Sequence, residues 1–88
     1  MTAEEAAEKI VGALTALDGL RPATWLSAAA AVDLSPELVQ VRLIATRLPL
    51  PPLLERAAEL VRPVLAGTVW ERCPLRLVVT DLDGAAFA

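Results

Sequence analysis

Two carboxylates near the C-terminal end of the chain are the residues most able to do chemistry. The segment Leu77-Val-Val-Thr-Asp-Leu-Asp-Gly84 sets Asp81 and Asp83 two residues apart at the end of an apolar, β-branched run. A carboxylate pair at a strand end could hold a magnesium ion, but only weakly without a third oxygen ligand. Little else supports catalysis. The chain has no His and no Tyr, which removes the commonest general base and every His-based triad. It has no glycine-rich phosphate loop and no paired cysteines.

The Asp81–Asp83 segment resembles the first motif of the haloacid dehalogenase phosphatases. That resemblance implies Asp81 as nucleophile and Asp83 as acid/base, with magnesium nearby. The family follows this motif with Thr, where this chain has Ala85, and four residues follow Gly84. The plainer reading takes Asp81, Asp83 and Gly84 as a solvated strand end and turn. The expectation is therefore no enzymatic activity, with no catalytic, cofactor-binding or metal-binding residue.

Eighty-eight residues make one small domain, 1–88. A chain this short buries about 60–65% of its unfolded surface, so its core is thin. Yet 56% of its residues are hydrophobic and mean hydropathy is +0.54. Some of that apolar surface should be covered by a partner or a second copy. Net charge is −3, and Lys9 is the only Lys among seven scattered Arg. Without a basic patch, neither nucleic acid nor an anionic membrane is an expected ligand. The longest uncharged run, Pro22–Val32, is eleven residues against about 20 needed to span a bilayer. The acidic N-terminus (Glu4, Glu5, Glu8) does not look like a signal peptide. A lone Cys73 suits a reducing compartment, and the expected location is cytoplasmic.

The elements that would position these residues follow from periodicity. Thr2–Leu17 predicts an amphipathic helix, with Thr2 as N-cap, Glu5 as capping-box partner and Gly19 as stop. Trp25–Val32 is ambiguous between helix and strand. Ser35-Pro36-Glu37 could be a hairpin turn or a helix start. The alternation of Val39, Val41, Leu43 and Ala45 favours the hairpin. Pro49-Leu-Pro-Pro52 opens a second helix whose buried face runs from Leu53 to Leu65. Pro63 should kink it or end it early. Leu75, Leu77 and Val79 alternate in a last strand. Trp25 and Trp70 read as anchors at the ends of the core, and Cys73 as an inert thiol.

The predicted architecture is α+β. A three-stranded sheet, with strands near Ala30–Leu34, Leu38–Thr46 and Leu75–Asp81, carries both helices on one face. The connection from the second strand to the third is a crossover. The other face is left uncovered and presents Ile44 and Val78, with Arg42 and Arg76 beside them. Those four residues are the expected interface.

With the elements placed, the chain resembles the alkaline-shock-protein family of the bacterial envelope stress response. The likeness rests on Val39-Gln-Val-Arg-Leu-Ile-Ala-Thr-Arg47, Leu48-Pro-Leu-Pro-Pro-Leu53, Arg56 with Val61-Arg62-Pro63, and Leu75-Arg-Leu-Val-Val-Thr-Asp-Leu-Asp83. The amphipathic first helix and Asp18-Gly19-Leu20 fit as well. The chain departs from the family at Pro22–Ala31, where the family often carries a glycine-rich, tyrosine-containing stretch. The resemblance implies a non-enzymatic protein that forms a homo-oligomer and sits at the membrane periphery through a membrane-anchored partner. It supplies no catalytic residues. An antidote-type small binding protein is a weaker alternative.

Overall fold

A computed structural model of the chain describes residues 1–23 and 27–83. Helix α1 spans Ala3–Leu14. Its start is dictated locally, because the Thr2 hydroxyl accepts the Glu5 amide at 3.1 Å and donates to the Glu5 carboxylate at 3.3 Å. The helix ends at Leu14, short of the expected Leu17. Thr15 turns its hydroxyl back onto the Gly12 carbonyl at 2.6 Å, and Leu17 reaches the core from the turn beyond.

The following strand, β1 (Leu20–Pro22), was not expected from the sequence. Gly19 sets its entrance. Its φ of +110° belongs to the left-handed region, and a Cβ there would come within 2.9 Å of the Leu53 methyls. Its carbonyl accepts the amides of Thr46 and Arg47 at 2.8 and 3.2 Å. Next come a single helical turn, α2 (Ala28–Ala31), and strand β2 (Val32–Leu34). Both the helical and the extended reading of this stretch hold in part: the alanines are helical, and the chain extends only from the β-branched Val32. Trp25 lies outside the described residues.

Strand β3 (Val39–Ala45) follows a tight turn in which the Ser35 hydroxyl accepts the amides of Glu37 and Leu38. Ser35 is thus a turn residue and not a helix cap. Helix α3 (Leu50–Leu65) then carries Pro51 and Pro52 in its first turn. It runs two residues past the exposed Pro63, later than expected, before Gly67 turns the chain at φ +78°. Strand β4 (Leu75–Leu82) is the longest.

The architecture is α+β, with α1 and α3 packed together on one face of the sheet. Among the described residues the sheet has four strands and not three, and it is mixed. β3 lies at its centre. β1 and β2 share one side of β3, pairing antiparallel with its C-terminal and N-terminal halves. β4 lies on the other side, parallel to β3, as the crossover through α3 requires. Val39, Val41, Leu43 and Ala45 are fully buried beneath the helices, against Ile10, Leu14, Ala57 and Val61. Burying each of the larger side chains stabilises the fold by about 1.5–3 kcal/mol. Trp70 is buried in the same core, as expected of an anchor.

Candidate interaction surface

The even-numbered residues of β3 look away from the helices and define the open face of the sheet. Strand register fixes their neighbours. Gln40 lies between Asp33 of β2 and Arg76 of β4. Arg42 is level with Val78, and Ile44 lies between Arg21 of β1 and Asp81 of β4. The four residues expected at an interface, Arg42, Ile44, Arg76 and Val78, therefore share one face of two adjoining strands. Ile44 and Val78 are half-buried and diagonal to one another.

Charge on this face was legible only in part. The Arg42 guanidinium is already engaged within the chain. Its Nε donates to the Ala30 carbonyl at 3.0 Å, and its Nη1 pairs with the Asp33 carboxylate. The hydrogen bond to Asp33, and secondarily that carboxylate's charge, raise the Arg42 pKa above its already high ordinary value, partly opposed by desolvation. Arg42 thus ties the end of α2 and β2 to the central strand. Arg76 has no ion-pair partner among the described residues. Sequence reasoning missed Asp33, Arg21 and Asp81 as members of this face. The signal for Asp33 lay in the hairpin: a turn at Ser35–Glu37 places it across from Gln40.

The two acidic residues singled out for chemistry are held apart in role. A bulge between Leu43 and Ile44 in the pairing advances β4 by one residue, so Asp81 lies level with Ile44. The Asp81 carboxylate accepts the amide of Leu82 at 2.8 Å. Asp83 pairs with Arg21 at 3.8 Å, and its amide donates to the Ala45 carbonyl. Both side chains of that ion pair are well exposed, so it contributes little to stability. No group of three or more His, Cys, Asp or Glu among the described residues could hold a metal ion. Gly84 lies outside the described residues.

Two further features complete the surface. A groove of about 340 Å³ runs between α1 and the α2–β2 segment, lined by Ala3, Ala7, Ala28, Val32 and Leu34, with Glu4 and Glu8 beside them. Cys73 is half-buried, and its thiol sits 3.2 Å from the Pro36 carbonyl, where it can donate a weak hydrogen bond.

No protein-family model, no curated protein and no solved structure matches this chain. Among the described residues, no helix is long and apolar enough to cross a membrane.

Proposed function

We propose that this chain is a non-enzymatic interaction or scaffold protein of the envelope-stress type, which self-associates and binds a membrane-anchored partner from the cytoplasmic side. One observation carries the reading. Among the described residues the sheet has a helix layer on one face only, and the other face sets Val78 level with Arg42 and next to Arg76 in its own strand, and Ile44 between Arg21 and Asp81. Apolar residues framed by charges on an uncovered face suit a modest, specific contact between proteins. The β3–α3–β4 order with its proline-marked helix supports the family resemblance at the level of pattern.

Co-sedimentation tests the membrane half of this reading. Purified protein should sediment with native membranes, and should stay in solution with protease-stripped membranes or with vesicles made from their extracted lipids. Binding to the lipid vesicles, or to none of the three, overturns it. Light scattering tests the other half. A monomer at high concentration would rule out self-association.

A further inference from the structure

We infer that the partner copy docks along the free edge of β4, forming a two-fold antiparallel strand pair centred on Val78. The inference rests on the self-association proposed above and assigns its surface and register.

The edge is open by hydrogen-bond alternation. The Val39 amide donates to the Pro74 carbonyl, and Asp83 donates to the Ala45 carbonyl. In a parallel ladder each residue turns both its backbone groups to the same side. With the observed register, the groups of Arg76 and Val78 point inward to β3, while those of Leu75, Leu77 and Val79 point outward. Among the described residues no strand pairs with that outer side. The opposite sheet edge is shielded differently: it is broken into two three-residue strands, and one of them contains Pro22. An eight-residue edge with no Lys and no Pro inside it lacks the usual protection until the bulge at its far end. There the Asp81 side chain occupies the outward amide of Leu82 and closes the edge.

Charge selects both the occupant and the register. On the open face of β4 the residues level with Gln40, Arg42 and Ile44 are Arg76, Val78 and Asp81. That row reads cation, apolar, anion, and is complementary to itself when rotated about Val78. A second copy turned about that axis sets Val78 against its counterpart and each Arg76 across from the partner's bulged Thr80–Asp81 step, which brings it beside the partner's Asp81. Leu77 and Val79 of each chain then exchange backbone hydrogen bonds, and their partly exposed side chains meet on the helix side. A pair centred on Leu77 instead places Arg76 opposite Val78 and leaves both charges unmatched. A two-fold contact of this kind closes on itself and stops at a dimer.

Charge swaps tested by sedimentation equilibrium decide the matter, with circular dichroism confirming that each variant is folded. Arg76→Asp and Asp81→Arg should each weaken the dimer by about tenfold or more, because like charges then face each other. The double variant should return to within about threefold of the original affinity. In a Cys73→Ser background, Val78→Cys should form a disulfide-linked dimer under mild oxidation, since directly opposed strand residues lie within disulfide reach. A dimer indifferent to both swaps and not linked through position 78 overturns this assignment while self-association stands. A protein that is monomeric at every concentration removes both.

Discussion

The two faces of β3 are built by one heptapeptide and behave oppositely. Val39, Val41, Leu43 and Ala45 are fully buried under α1 and α3. Gln40, Arg42 and Ile44, interleaved with them, stay partly exposed beside Asp33, Arg76 and Val78. Nothing in backbone conformation separates the two sets. What separates them is that, among the described residues, helices cover one side only, so the same strand builds the core on one face and leaves the other open. A residue's parity should therefore predict which property a substitution disturbs.

The sharpest test of that contrast is a charge on the helix side. Val41→Asp should abolish cooperative folding, since it buries an unpaired carboxylate at a fully enclosed site. Loss of the thermal transition by circular dichroism is the expected outcome, and a folded variant would mean that α1 and α3 do not seal this face. A gentler cut on the same side, Leu43→Ala, should cost about 3 kcal/mol in urea unfolding. Moving to the open face, Arg42→Ala should cost about 1 kcal/mol, mainly through loss of its bonds to Asp33 and Ala30. Arg42 is held above its ordinary pKa, so its contribution is complete at every pH below the usual guanidinium range and fades only as pH rises beyond it. The cost of Arg42→Ala should accordingly be the same at pH 6 and pH 9. The smallest stability effect belongs to Val78→Asp, below about 1 kcal/mol. That variant should nonetheless shift light scattering towards monomer with its helical signal intact. A large loss of stability there would erase the distinction between the faces.

The parts of this fold that were legible in the sequence are those whose signal is local and repeated. The four alternating apolar residues of β3 and the proline-opened, 3.6-spaced face of α3 each supply several periods. Ser35 announces the hairpin through one side chain that can accept two amides. β1 could not be read this way. Leu20-Arg21-Pro22 offers a single alternation beside a proline, and it is a strand only because Leu43–Ala45 lies alongside. The end of α1 was misplaced for a related reason: Leu17 keeps helical spacing yet is buried from a turn. On the open face of the sheet, alternation was enough to gather Ile44, Val78, Arg42 and Arg76. The bond from Arg42 to Asp33 required strand register, and the bulge that brings Asp81 level with Ile44 left no trace in composition.

The central place of β3 has a consequence in time as well as in space. Among the described residues every other strand is hydrogen-bonded to β3 and to no other strand. Its amides can open only when the whole sheet does, so β3 should hold the slowest-exchanging protons of the molecule in deuterium oxide, close to the limit set by global unfolding. Along β4 the inward amides of Arg76 and Val78 should share that slow clock, while those of Leu77 and Val79 should exchange quickly in dilute solution and slow down as the protein is concentrated. An exchange rate that depends on concentration at every second residue of one strand would record docking on that edge directly.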